Sequence, residues 1–195
     1  MGQHRTNRSA VIAVPRLLVI SFAGAIAIGT FVLSSASAPG DFDESIPIID
    51  TLFTATSAIC VTGLSVRDIG TEFAFFGQVI ILVLIQIGGL GILTFSNLVL
   101  FLQTGRMTLQ QREFVHETIG ASPYMSASSL LLRVIIYALV IEAAGSLALT
   151  ACFARDYPIS QALWLGTFHA VSAFCNAGLG LFSDSLARYR GDIFV

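Results

Sequence analysis

From Phe73 to Leu102 the chain runs 30 residues without a charged side chain. As a helix, that run would rise about 45 Å at 1.5 Å per residue, more than the roughly 30 Å hydrocarbon thickness of a bilayer. Lipid offers no water to satisfy backbone N–H and C=O groups, so such a run must close its hydrogen bonds within itself, as a helix. Two other stretches behave alike. Leu17–Ala38 is uncharged over 22 residues, and Ser126–Phe153 is apolar except for Arg133 and Glu142. A secretory leader is an alternative for the first, because small residues near Ala38 suit cleavage. Its apolar stretch exceeds the usual length of about 7–15 residues, however, and further spans follow. Only 11% of the residues are charged, against roughly 25% in soluble domains, which leaves too little polar surface to coat a globule in water. The expected class is an all-α, multi-pass membrane protein whose first partner is the lipid bilayer.

Charge placement orients it. All 10 basic residues are arginine, and the net charge is -2. No basic patch calls for a nucleic-acid partner. Arg5, Arg8 and Arg16 precede the first span, Arg106 and Arg112 follow the second, and Arg133 lies near the start of the third. The positive-inside rule makes these sides cytoplasmic, with the N-terminus inside. The segment between the first two spans is then external, and it holds Asp41, Asp43, Glu44, Asp50, Asp68 and Glu72 against Arg67. These acids either raise cation concentration at an outer mouth or simply solvate a loop. Cys60, Cys152 and Cys175 lie far apart without metal-ligand spacing and read as buried apolar thiols. There is no nucleophile–base set, carboxylate pair or metal motif, so an enzyme is not expected.

The external segment carries a phrase that the chain writes twice. "LFTATSAICVTGLSV" (Leu52–Val66) returns about 115 residues later as "TFHAVSAFCNAGLGL" (Thr167–Leu181). Phe53, Ala55, Ser57, Ala58, Cys60, Gly63 and Leu64 match Phe168, Ala170, Ser172, Ala173, Cys175, Gly178 and Leu179. Each copy follows a long span and begins near a proline, Pro47 or Pro158, which suits a first helical turn. Each apolar run is too short to span and fits a re-entrant half-helix. The organisation is a tandem of units: transmembrane helix, pore half-helix, filter loop, transmembrane helix. A cytoplasmic tail covers 1–16, a first unit 17–103, a cytoplasmic connector 104–125, and a second unit without its closing helix 126–195.

Irregular backbone at membrane depth is tolerated where it is buried in protein or lines a watery cavity. A ring of carbonyls can replace a cation's hydration shell, and the negative C-terminal end of a half-helix adds to that field. Glycine permits φ > 0, which lets successive carbonyls point the same way. The plainer reading makes Gly63 and Gly178 ordinary helix C-caps. Two copies on one membrane side favour the first reading.

"TATSAICVTGL", "QIGGLGILTF" (Gln86–Phe95) and "FHAVSAFCNAGLGLFSDSL" (Phe168–Leu186) resemble the Trk/Ktr/HKT family of potassium transporters, and within it the membrane subunit of bacterial Ktr systems. The resemblance runs from about Leu17 to Leu186. It implies potassium transport across the cell membrane by an ion-translocating subunit in which four such units surround one pore. Carried onto this chain, the filter strands are Val61, Thr62, Gly63 and Leu64, and Asn176, Ala177, Gly178 and Leu179. Their backbone carbonyls would ligate K⁺, notably at Val61, Thr62, Asn176 and Ala177, with Na⁺ or H⁺ as a candidate coupling ion and no cofactor. Thr62 offers a hydroxyl that Ala177 lacks. The resemblance also implies a homodimer seated on a cytosolic ring of nucleotide-binding regulatory subunits. Two filter strands cannot enclose a cation, so the chain is expected to be a fragment of a longer one or to assemble from several copies. The alternative is a non-transporting membrane scaffold whose half-helices merely pack.

Several other residues carry two readings each. Glu142 at mid-span is either a coupling-ion site or a hydrogen-bonded group inside the bundle, and Arg133 snorkels. Gly88, Gly89 and Gly91 allow close helix contact or form a hinge. Gln78, Gln86 and Asn97 line a cavity or bond between helices, and His169 is either a buried hydrogen-bonded side chain or a pH sensor. Arg106–Ser122 is an amphipathic docking segment or a surface connector.

Overall fold

The computed structural model describes residues 6–35, 46–104 and 127–191, and its regular elements are helical. They are α1 (Thr6–Ser35), α2 (Ile48–Cys60), α3 (Ile69–Glu72), α4 (Phe75–Thr104), α5 (Ala127–Phe153), α6 (Ile159–Phe174) and a 3₁₀ turn (Ala187–Tyr189). The three long helices α1, α4 and α5 fall on the three apolar runs. One boundary differs: α1 begins at Thr6 and not near Leu17, so backbone assigned to the tail is already helical. Within α5, Leu132–Phe153 has 22 residues and a mean hydropathy of 2.0, long and apolar enough to cross a membrane. Arg5, the acids Asp41, Asp43 and Glu44, and the connector segment Arg106–Ser122 lie outside the described residues, as do the side chains of Arg8, Arg16 and Asn97.

The two short helices are built alike. α2 has 13 residues and α6 has 16, or about 20 and 24 Å of rise, short of a bilayer's thickness. Each starts from a proline at the N-cap, Pro47 with φ -55 and ψ 141, Pro158 with φ -55 and ψ 146. This is one position before the helical turn expected from sequence. The ring's fixed φ suits either place, and the carbonyls of Pro47 and Pro158 accept from Thr51 N at 3.2 Å and Ala162 N at 2.9 Å.

α1, α2 and α4 pack as one group and α5 with α6 as another, and α4 touches members of both. Leu33, Ala58, Ile59, Ile81 and Ile85 are fully buried in the first group, and Phe153, Ala162 and Phe168 in the second. At Gly166 the chain of α6 lies against Thr150 and the Ser146 carbonyl of α5, where a Cβ would overlap them. The outward sides of α1 and α5 present Phe31, Tyr137, Val140 and Leu147, each more than half exposed. A helix facing water shows the opposite pattern.

Candidate ion-binding site

Both short helices end in the same closure. After α2, Val61 adopts the left-handed conformation (φ 56, ψ 42), and Thr62 N donates to Ser57 O at 3.0 Å. After α6, Asn176 takes φ 57, and Ala177 N donates to Ser172 O at 2.7 Å. These are Schellman-type ends, in which the left-handed residue lets the next N–H reach back to an orphan carbonyl. The helix ends are thus turned by Val61 and Asn176, and the plainer reading of the glycines as caps fails. Gly63 and Gly178 lie two residues further on, again with positive φ, +74 and +66. Asn is a common left-handed residue and could have signalled its role. Valine gives no such signal, and its left-handed state costs about 1–2 kcal/mol. Strain of this kind persists only where the surroundings over-determine it.

Alternation of hand is the chemically useful feature. Among the described residues positive φ occurs at Val61 and Gly63 but not at Thr62, and at Asn176 and Gly178 but not at Ala177. In a uniformly extended strand, carbonyls point to alternate sides; a left-handed residue at every second position breaks that alternation. Among the described residues no donor is paired with the carbonyls of Val61, Thr62, Gly63, Asn176, Ala177 or Gly178. Leu179 differs, because its carbonyl accepts the Ser172 hydroxyl at 2.6 Å. On the first loop Ser57 works the other way: its Oγ accepts from Leu64 N at 3.1 Å and from the Thr62 hydroxyl at 3.0 Å. The Thr62 hydroxyl, a candidate ligand by sequence, is therefore turned back onto the helix that precedes it. Ser57 and Ser172 both stand in the matched phrase, but a serine in sequence does not show which loop group it will hold.

The fold brings the two loops together. A Cβ built on Gly63 would lie 3.0 Å from the Ala177 carbonyl oxygen and 3.4 Å from Gly178 Cα; one on Gly178 would lie 3.2 Å from Gly63 Cα. Both loops also line one cavity of about 330 Å³, with Ser65, Arg67, Asp68 and Gly180 on its wall. Arg67 Nε lies 2.6 Å from Asp50 and its Nη1 3.1 Å from Glu72. These bonds hold its guanidinium above the ordinary arginine pKa. Asp68 caps α3 by accepting from Gly70 N at 2.9 Å. The described acids between the first two long helices are thus engaged with the protein itself.

Beneath the loops α4 fits between the ends of the short helices. A Cβ on Gly88 would overlap the Ile59 carbonyl oxygen, and one on Gly89 would sit 2.5 Å from Cys175 Sγ. Gln86, two residues earlier, donates to both Glu142 oxygens at 2.9 and 3.0 Å, and Cys175 Sγ lies 3.9 Å from its Oε1. Gln78 accepts from Trp164 Nε1 at 2.8 Å. Glycines and glutamines here serve contact between helices, and Glu142 is a buried, hydrogen-bonded group. The three cysteines are not all buried as expected: Cys152 is buried, but Cys175 is half-buried and Cys60 exposed, because Cys60 ends α2 on a side that no described element covers. Arg133 is exposed near the start of α5. His169 is 5% exposed and hydrogen-bonded at both ring nitrogens.

Residues 14–195 match the TrkH family, described as cation transport protein, a non-enzymatic role. The chain is 35% identical over 181 residues to the Ktr system potassium uptake protein B of Vibrio alginolyticus, covering 93% of this chain and 39% of the relative. Against the protein of the same name from Bacillus subtilis it is 38% identical over 178 residues, 91% of this chain and 39% of the relative. The potassium/sodium uptake protein NtpJ of Enterococcus hirae is 34% identical over 152 residues, 78% of this chain and 34% of that one. The chain spans about two-fifths of the length of the Ktr relatives it matches.

Proposed function

The chain belongs to the TrkH family of cation transport proteins, and on that premise we propose that it supplies two of the loops through which a potassium uptake subunit passes K⁺ across the cell membrane. One observation carries this reading: two loops of alternating positive and negative φ, with carbonyls unpaired among the described residues, meet glycine to glycine at the C-terminal ends of two half-length helices. A cation there receives peptide oxygens and the negative ends of two helix dipoles together, the combination that replaces a hydration shell. The ligands assigned are the carbonyls of Val61, Thr62 and Gly63 and of Asn176, Ala177 and Gly178. Leu64 and Leu179 close the strands, Leu179 with its carbonyl held by Ser172.

In this reading 17–103 is one helix–half-helix–loop–helix unit and 126–195 the helix, half-helix and loop of a second, in a multi-pass protein with a cytoplasmic N-terminus, and further units complete the ring. By resemblance to Ktr systems, whose uptake protein B the chain is similar to, the proposal extends to a cytosolic ring of nucleotide-binding regulatory subunits and to dimerisation of the complete protein, with Na⁺ as a candidate coupling ion. The test is a flux assay on the full-length gene product in cells lacking other potassium uptake. Gly63→Ser or Gly178→Ser should lower the preference for K⁺ over Na⁺ while the protein still reaches the membrane. Unchanged preference in both would remove the ligand assignment.

A further inference from the structure

The two loops are backed by different side chains at one matched position. In the first copy Thr54 is fully buried and its hydroxyl donates within its own helix, to Asp50 O at 2.8 Å. In the second copy the same position is His169. Leu181 N donates to His169 Nε2 at 3.3 Å, so Nε2 is the acceptor, and Nδ1 must carry the proton it donates to Leu165 O at 2.8 Å. The imidazole is therefore neutral and its tautomer set by two backbone groups, one on the helix and one on the loop.

The surroundings are built for this ring. Phe182 stacks on it at 4.9 Å and 25°, and Phe153 and Phe168 present edges at 5.9 and 6.0 Å. Gly180 passes so close that a Cβ there would lie 3.1 Å from Nε2; the matched residue of the first loop is Ser65. Tyr189 is reached only across Phe153 and Phe182, and its hydroxyl is held by Asp156. Among the described residues no carboxylate contacts the imidazole. The consequence shows in burial: Leu181 is 8% exposed, and its counterpart Val66 is 53% exposed.

We propose that His169 is the positioning residue of the second loop, holding the strand just past Gly178 through the Leu181 N–H, a support without a counterpart on the first loop among the described residues. The inference rests on the reading of these loops as the ion site. The experiment compares His169→Gln, whose amide oxygen reaches where Nε2 stands, with His169→Asn, which reaches only as far as Nδ1. Gly178→Ser serves as the control in the same K⁺ over Na⁺ flux assay. His169→Asn should lose roughly fivefold in discrimination, the loss of one buried acceptor, and His169→Gln should stay within about twofold of the wild type. Equal losses in both variants would mean that ring packing, not the acceptor, matters, and would overturn the proposal. So would full discrimination in His169→Asn beside a defective Gly178→Ser. If Gly178→Ser itself is unaffected, the ion-site reading falls and this one with it. Nitrogen chemical shifts of His169 in the wild-type protein give a check that needs no variant: a proton on Nε2 in place of Nδ1 refutes the assignment.

Discussion

The two loops share a backbone and differ in nearly everything around it. Val61 and Asn176, Gly63 and Gly178 repeat the same alternation of hand within about 10° of φ. Yet Leu64 is 61% exposed and Leu179 only 4%. Ser57 accepts from its loop, whereas Ser172 donates to its own. The second loop lies under an aromatic cover of Phe153, Phe182 and Tyr189, which has no counterpart over the first among the described residues. The difference teaches that the backbone path is the shared requirement and that different side chains can impose it. That is the economy expected if peptide carbonyls, common to all residues, do the chemistry.

The largest effect should come where a loop's support is backbone against backbone. Gly88→Ala drives a Cβ into the Ile59 carbonyl, which has no rotamer to escape by, whereas Gly89→Ala meets a cysteine side chain. Thermal unfolding in detergent should show about 3 kcal/mol lost for Gly88→Ala, the upper part of the overpacking range, and about 1 for Gly89→Ala. Similar losses for both would erase this asymmetry between the two copies.

Next comes the cost of forcing an L side chain into the left-handed region, about 1–2 kcal/mol, or about five- to thirtyfold in K⁺ over Na⁺ preference if it falls on the K⁺-bound state alone. Gly63→Ser should exceed Gly178→Ser, because its Cβ also crowds the Ala177 carbonyl at 3.0 Å. Competitive K⁺/Na⁺ uptake measures the two directly, and the reverse order would count against the facing geometry.

Ser57→Ala leaves the Leu64 N–H without its acceptor, whereas Ser172→Ala frees a carbonyl that tolerates a missing donor better. Stability losses of about 1–2 and about 0.5–1 kcal/mol follow. Chemical denaturation of the two single variants tests that ranking.

The smallest effect concerns the cover of the second loop alone. Burial, then the bond to Asp156, pushes the Tyr189 hydroxyl up to about 12. The folded state thus holds this proton more tightly than the unfolded chain does. Its contribution is whole below the ordinary tyrosine pKa near 10 and fades as pH rises through about 12. Tyr189→Phe should flatten the fall of the unfolding midpoint over that window; an unchanged slope would mean that Tyr189 takes no part.

Much of this was legible in residues alone. Long apolar runs announced α1, α4 and α5 because a helix is the structure that satisfies its own backbone in lipid. The doubled phrase announced α2 and α6, their glycine loops and the family. Less legible was which residue turns each helix end, since valine at 61 has no left-handed preference and only its neighbours hold it there. Equally hidden were the direction of the Thr62 hydroxyl and the opposed roles of Ser57 and Ser172, because a hydroxyl donates or accepts according to what faces it.

The sequence by itself determined that the chain is helical, apolar on its outer faces and written as a repeat, because those properties depend on composition and spacing along one dimension. Only the tertiary structure decided that Gly63 meets Gly178, that α4 slides its glycines beneath both helix ends, and that His169 reaches a loop where Thr54 does not. Those facts depend on distances between segments far apart in the chain. No local pattern encodes such a distance until the helices pack.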